Sequence, residues 1–321
     1  MSIKEIKSED LNPEEFINEK CLALVEETKG GIAVNALSGG VDSSVTTMLA
    51  HRAIGERLKT YYIDNGLMRA GESDAVMHTM VKLGVPVELV DAREEFFTAL
   101  KGVTDPEKKR QAITDTFYKT VFGRLVKESG ARFLLQGTIF TDVEETMAGI
   151  KRQHNILSQL GIDTQDVYGY KVIEPLIELR KTGVRMVGKA LGLPESVYNR
   201  PPFPGPALVT RVIGDATPEK IDLVRRATAI VEAELADVNA FQYLAILHED
   251  RVTGVYQGRR SYGNQIEIRC WDSTDAVVAK PTRLSFDLLE KMASRITTEI
   301  PEVVSVTYNI TTKPPSTIEA L

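Results

Sequence analysis

The run GIAVNALSGGVDSS, from Gly31 to Ser44, decides the fold. Its first half, GIAVNAL, is an apolar stretch bounded by glycines and reads as a buried strand. Behind the Ser-Gly-Gly turn, Val45, Met48, Leu49 and Ala53 recur at helical spacing, and Gly55 marks the end of that helix. A helix-like stretch precedes the strand. The alternation then continues with LKTYYID (Leu58 to Asp64) as a strand, a helix around Glu72 to Leu83, and PVELVD (Pro86 to Asp91) as a third strand. Strands that alternate with helices predict an α/β fold with a doubly wound parallel sheet.

Further along, a helical segment from Pro106 to about Glu128 leads into RFLLQGT (Arg132 to Thr138) as strand four, and KVIEPL (Lys171 to Leu176) reads as strand five. Between them, Asp142 to Tyr170 is polar with weak periodicity, a length more common in lids than in plain connections. The four prolines of RPPFPGPAL (Arg200 to Leu208) forbid a regular helix or central strand, so the domain boundary is placed there: residues 1–200 and 201–321. In the second part Thr217 and Pro218 read as the N-cap and first position of a helix. FQYLAILH, NQIEIRCW and VVSVTYNIT read as strands, with the helix LSFDLLEKMASRITTEI before the last. A small α+β domain is predicted.

The chemistry sits in SGGVDSS: Ser38, Gly39, Gly40, Val41, Asp42, Ser43 and Ser44. At the carboxyl end of a parallel strand, glycines let backbone approach a ligand, and the helix start offers N–H groups and the positive end of its dipole to an anion. The serines add hydroxyl donors. Asp42 can hold a magnesium ion against phosphates or cap the helix. No GKS or GKT triplet follows, so the loop is not of the Walker type. Since the ligand crevice of a doubly wound sheet opens where strand order reverses, strands one and four should be neighbours, which puts Gln136, Gly137 and Thr138 beside the loop. Asp64, Asn65 and Gly66 end strand two in a turn suited to the ribose or adenine side of a nucleotide.

The heptad resembles the PP-loop of the N-type ATP pyrophosphatases, whose fold is that of the adenine nucleotide alpha hydrolases. Further segments resemble the synthetase portion of the GMP synthetase family: DNGLMR (Asp64 to Arg69), DPEKKR (Asp105 to Arg110), QGT followed by Asp142 and Glu145, IKRQHN (Ile150 to Asn155), RPPFPGPAL and KPPSTIE (Lys313 to Glu319). The resemblance implies that ATP adenylates xanthosine monophosphate (XMP) at O2 with release of pyrophosphate, and that ammonia then displaces AMP to give GMP. It further implies Mg2+ as cofactor, Asp42 as its ligand, and Asp42 and Lys151 as catalytic residues, with Lys151 on a closing lid. Arg69, Asp142, Glu145, Phe203, Pro204, Gly205, Arg269, Lys313, Ser316, Thr317, Ile318 and Glu319 are implied to bind the acceptor nucleotide. The C-terminal domain is implied to dimerise. The chain departs from the family pattern at Arg152, Gln153, Pro201, Thr114 and Ala207, the last standing where a glycine is usual, and it lacks the usual aromatic near the C-terminus. Cys21 has no nucleophile-elbow context, so ammonia is expected from a separate glutaminase subunit. A related enzyme activating another acceptor, or a non-catalytic nucleotide-binding subunit, stay open on the residues alone.

Composition bounds the remainder. With 321 residues, 43% hydrophobic and 26% charged, the chain suits two globular domains. A net charge of −6 gives no overall attraction to nucleic acid. No apolar run reaches membrane-spanning length and the N-terminus is acidic and polar, so a cytoplasmic location is expected. Two isolated cysteines, Cys21 and Cys270, predict neither a disulfide nor a structural zinc.

Overall fold

A computed structural model describes residues 3–147, 170–199, 203–256, 258–274 and 276–320. The chain forms two compact units. The first comprises residues 1–64, 72–91 and 117–200, and the second takes the short segments 65–71 and 92–116 together with 201–321.

The first unit is built on five parallel strands: β1 (Ala33–Ala36), β2 (Leu58–Asp64), β3 (Glu88–Asp91), β4 (Phe133–Leu135) and β5 (Lys171–Ile173), in the order β3-β2-β1-β4-β5. All four pairings are parallel. Strands one and four are therefore neighbours, as the sequence requires of a doubly wound sheet, and the order reverses between them. Ala33 and Val34 are fully buried, and the helices Pro13–Thr28, Val41–Ile54 and Lys181–Ala190 bury Phe16, Ile17, Leu24, Val45, Leu49, Val184 and Val187 in one core. Asn35 is the polar exception in β1; its Nδ2 donates to Thr47 Oγ1 at 2.5 Å, which ties the strand to the helix behind the loop.

Element types agree with the sequence reading, while boundaries shift. The long helical stretch after Pro106 is broken: an α-helix over Pro106–Asp115, a π-helical stretch over Thr116–Phe122 and an α-helix over Gly123–Ser129. The chain passes from the second unit to the first inside that π-helical stretch. The polar excursion expected from Asp142 begins as a helix, Phe140–Met147, and residues 148–169 lie outside the described residues.

The second unit carries a mixed sheet. A long antiparallel hairpin pairs β6 (Gln242–Tyr256) with β7 (Arg259–Asp272), and β8 (Lys280–Pro281, antiparallel) and β9 (Val303–Tyr308, parallel) also pair with β7. Side chains alternate across the hairpin, so its two faces differ. Ala245, Leu247, Ile266, Ile268 and Cys270 are buried on one face; Leu244, Ile246 and Trp271 are buried on the other, where Ile318 of the chain's closing segment joins them. The helices Pro218–Glu234 and Phe286–Glu299 complete the unit. The first starts on Thr217, whose side chain accepts from Lys220 N with Pro218 at the next position, and the second on Ser285.

Candidate functional site

In the first unit the loop Ser38–Ser44 joins the end of β1 to the helix Val41–Ile54. Gly39 adopts φ +77°, open to glycine at no steric cost. Ser43 Oγ is the hub: it accepts from Ser38 N (3.2 Å), lies 3.0 Å from Ser38 Oγ, and donates to Gly40 O at 3.0 Å. The start of this helix is unlike three others in the chain. Those beginning at Pro13, Pro106 and Pro218 have Asn12, Asp105 and Thr217 as side-chain caps, whereas here Gly40 is the N-cap and no side chain caps the helix. Asp42 lies in the first turn and does not cap it.

Asp42 is held from one side only. Lys181 Nζ, at the start of the helix Lys181–Ala190, donates to its Oδ2 at 2.5 Å, while Oδ1 is buried without a hydrogen-bond partner. Burial lifts the Asp42 carboxyl above the usual aspartate range; Lys181 opposes the rise, Asp142 adds to it and Arg185 opposes it. Gln136 Oε1 and Ser44 Oγ are likewise buried without partners among the described residues. Buried polar atoms without partners are uncommon in native structures, and these three lie on the loop Ser38–Ser44 and on the turn that abuts it. No group of three metal-ligating side chains occurs among the described residues.

The turn after β4 abuts this loop. A Cβ on Gly137 would lie 2.9 Å from Asp42 C and 3.1 Å from Asp42 O, so the residue is glycine because backbone meets backbone there. Thr138 Oγ1 donates to Glu174 Oε1 at 2.6 Å, and Asp142 Oδ2 accepts from Ile139 N at 3.0 Å, holding the start of the helix Phe140–Met147. Burial raises the Glu174 carboxyl; the Thr138 bond opposes this and Asp142 adds to it. Glu145 lies on the same helix. Asp64 ends β2 on the same parallel sheet, one strand from β1. Lys151, Arg152, Gln153 and Pro201 lie outside the described residues.

The second unit gathers Arg69, Phe203, Arg269 and the closing segment. Arg69 stacks on the Phe203 ring at 4.5 Å and pairs with Glu232, and Arg211 stacks on the same ring at 5.1 Å. Arg211 is 2% exposed; its Nε and Nη2 reach the two oxygens of Glu319, to which Gln242 Nε2 also donates at 2.8 Å. Arg269 Nη1 donates to the carbonyls of Thr317 (2.8 Å), Ile318 (3.3 Å) and Glu319 (3.3 Å). Pro204 O accepts from Ala207 N, and Gly205 lies between them with open space at its Cβ position. The closing segment turns at Pro314–Pro315, with Ser316 N reaching back to Thr312 O. Lys313 Nζ donates to Ala276 O, Ser316 Oγ to Thr317 O and Thr317 Oγ1 to Glu319 O. In the same unit Gly66 takes φ +71° in the turn after Asp64, where Asn65 Oδ1 accepts from Leu67 N.

Lys181, Arg211 and the pair His248 and Glu267 escaped the sequence reading. Only Arg211 left a signal, a cation inside the apolar run ALVTRV. In the DPEKKR segment Lys109 is buried with Nζ on Val212 O at 2.7 Å, and burial, then Lys220, lower its ammonium to about 8, opposed by Asp215 and Glu249.

Residues 14–207 match the NAD synthase family and residues 229–320 the GMP synthase C terminal domain family. A subunit of the glutamine-hydrolysing GMP synthase of Archaeoglobus fulgidus is 46% identical over 310 residues, covering 96% of this chain and 99% of that protein. The proteins of the same name from Pyrococcus furiosus and Methanocaldococcus jannaschii are 45% and 43% identical, covering 95% and 96% of this chain and 97% and 99% of those proteins. The chain belongs to this family of GMP synthase subunits. Ala207 takes a positive φ of +58°, which an L-residue adopts only at a cost. No helix among the described residues is long and apolar enough to cross a membrane.

Proposed function

We propose that this chain aminates XMP to GMP with ATP as the activating reagent: XMP, ATP and ammonia give GMP, AMP and pyrophosphate. The observation that carries the reading is the Ser38–Ser44 loop, with its uncapped helix start and the partnerless Asp42 Oδ1. Helix N–H groups and the Ser38 and Ser43 hydroxyls suit the β and γ phosphates that leave together as pyrophosphate. Gln136, Gly137 and Thr138 extend the same ATP subsite, and Asp64 and Gly66 are assigned to its nucleoside side. The family membership supports the acceptor.

Mg2+ fits as the cofactor, with Asp42 Oδ1 and Ser44 Oγ as the donors this chain offers; bound, it would neutralise phosphate charge. The chain's own residues do the rest. Lys181 opposes the upward pull of burial on the Asp42 carboxyl and fixes its orientation. Lys151 is assigned to the phosphate charge that develops as the α-phosphorus is attacked. Arg69, Phe203, Pro204, Gly205, Arg269 and the Lys313–Glu319 segment are assigned to XMP, and Asp142 and Glu145 are assigned to it as well. An O2-adenylate leaves readily where the bare oxygen does not, so ammonia can displace AMP.

Cys21 and Cys270 are both free thiols whose pKa burial raises. The description of the relatives as subunits of a glutamine-hydrolysing GMP synthase supports assigning the ammonia supply to a partner glutaminase subunit. The C-terminal unit is assigned as the dimerisation domain and the cytoplasm as the site of action. Purified chain supplied with XMP, ATP, Mg2+ and ammonium salt should release AMP, pyrophosphate and GMP in equal amounts, and should make no GMP when glutamine replaces ammonium. Pyrophosphate release that ignores XMP would mean another acceptor.

A further inference from the structure

One face of the β6–β7 hairpin carries a line of charged side chains, His248, Glu267 and Arg269, of which only Arg269 is assigned a role in binding XMP. Glu267 and Arg269 lie two residues apart on β7 and so share a face, opposite Ile246 and Leu244 of β6. His248 follows on that face of β6, just where the register shifts after Leu247. His248 Nε2 lies 2.8 Å from Glu267 Oε2, and Arg269 Nε donates to Glu267 Oε1 at 2.5 Å. Beyond Arg269 come the carbonyls of Thr317, Ile318 and Glu319, all on Nη1. The side chains of Glu267 and Arg269 are 13% and 11% exposed.

A guanidinium this buried is costly without a counter-ion, and neutral carbonyls supply none. Glu267 supplies it through a single charge-assisted bond, Oε1 on Arg269 Nε, and that directional bond helps orient the Arg269 fork. Burial pushes the Glu267 carboxyl up, but its bonds to His248 and Arg269 outweigh that and leave it below the usual range. The far oxygen would be free to swing were His248 not on it. The three residues thus form a line from the strand β6 to the closing segment.

We propose that His248 and Glu267 are positioning residues for the acceptor nucleotide: His248 fixes Glu267, Glu267 fixes the Arg269 fork, and Arg269 shapes the backbone of residues 317–319 on which the XMP subsite depends. This rests on the reading of the closing segment as part of the XMP site. It identifies two specificity-shaping residues that touch no substrate.

The test uses full-length protein carrying Glu267→Gln, Glu267→Asp or His248→Gln, with two readouts. Steady-state kinetics of Glu267→Gln should show the XMP KM raised about tenfold, the effect of losing roughly 1.4 kcal/mol of charge-assisted bonding, with the ATP KM and kcat within about twofold of wild type. His248→Gln should raise the XMP KM about threefold, and Glu267→Asp, which keeps the charge, should fall between wild type and Glu267→Gln. Amide hydrogen exchange without nucleotide should speed up at residues 316–320 in Glu267→Gln and remain unchanged over the β6–β7 hairpin. An XMP KM and tail exchange both like wild type would overturn the proposal, as would equal rises in the XMP and ATP constants, which mark general scaffold damage. If wild type fails to use XMP at all, the functional reading falls, while the exchange experiment still decides whether Glu267 holds the closing segment.

Discussion

The loop Ser38–Ser44 and the closing segment Lys313–Glu319 are both assigned to nucleotides, yet they are built in opposite ways. At the loop, polar atoms are left without partners among the described residues: Asp42 Oδ1, Ser44 Oγ and Gln136 Oε1 are buried and unbonded there, and the helix start has no side-chain cap. In the closing segment the side-chain donors Lys313, Ser316 and Thr317 are taken up within the protein, on main-chain carbonyls. Glu319 takes Arg211 and Gln242, and Arg269 holds three carbonyls at once. The difference indicates where each region's free energy resides. The loop keeps its bonding capacity for a ligand, and the segment uses its own to hold a shape. Substitutions in the loop should therefore cost rate, and substitutions in the segment should cost stability together with acceptor affinity.

The largest effect belongs to Asp42→Ala. Removing the carboxylate should lower pyrophosphate release by about a thousandfold, the upper range for losing one electrostatic stabiliser of a transition state. Thermal unfolding should hardly move, because the group lost was half unsatisfied and its partner Lys181 is about half exposed. Turnover near wild type would erase the contrast between the two regions.

Gly137→Ala should come next. Its Cβ would sit 2.9 Å from the carbonyl carbon of Asp42, so the turn and the loop must separate by several tenths of an ångström. Small misplacements of reacting groups cost about a hundredfold, and kcat/KM for ATP should fall by that order while the XMP KM stays put. Steady-state kinetics with each substrate varied in turn checks this. A normal ATP response would mean that the close approach has no part in binding.

Glu319→Ala tests the other region. It leaves Arg211 charged, 2% exposed and without its carboxylate partner, for a cost of about 3 kcal/mol to the C-terminal unit. Denaturant titration should report that loss, and the XMP KM should rise with it. Glu319→Gln, which keeps the hydrogen bonds, should cost less. A variant as stable as wild type would show that the closing segment is not held by this pair.

The same contrast explains what the sequence revealed. The loop was legible because everything that makes it is local: an apolar run, two glycines, a helix-period pattern and the switch-point rule that brings Gln136–Thr138 beside it. LKTYYID matched β2 residue for residue, since a buried parallel strand is a continuous apolar run with a sharp polar end. The partner of Asp42 was not legible, because Lys181 lies 139 residues away and only the fold brings it there. The roles of Glu267 and His248 depend on which face of β6 and β7 they occupy, and that register is set by pairing and a bulge that sequence periodicity does not fix. The helices Arg93–Leu100 and Lys181–Ala190 give no start signal in the sequence; neither has a side-chain cap. The break in the helix after Asp115 follows no proline or glycine.

The smallest effect is expected at Ala207, and there the sign decides more than the size. Ala207 is fully buried at φ +58°, a conformation that costs an L-residue about 1 to 2 kcal/mol. Replacing it with glycine removes that strain. Two losses oppose the gain: the freer unfolded chain, about 0.4 to 1 kcal/mol, and one buried methyl group, about 0.8 kcal/mol. The terms nearly cancel, so Ala207→Gly should change stability by less than about 1 kcal/mol in a denaturant titration. A destabilisation of about 1.5 kcal/mol is what the two losses give alone, and observing it would mean that the backbone at 207 is not strained. Ala207→Val sharpens the reading: a β-branched side chain is poorly tolerated in the left-handed region, so that variant should be clearly less stable than both alanine and glycine. The XMP KM of Ala207→Gly should stay at the wild-type value, because Ala207 N keeps its bond to Pro204 O and Leu208 N its bond to Leu67 O whichever residue stands there.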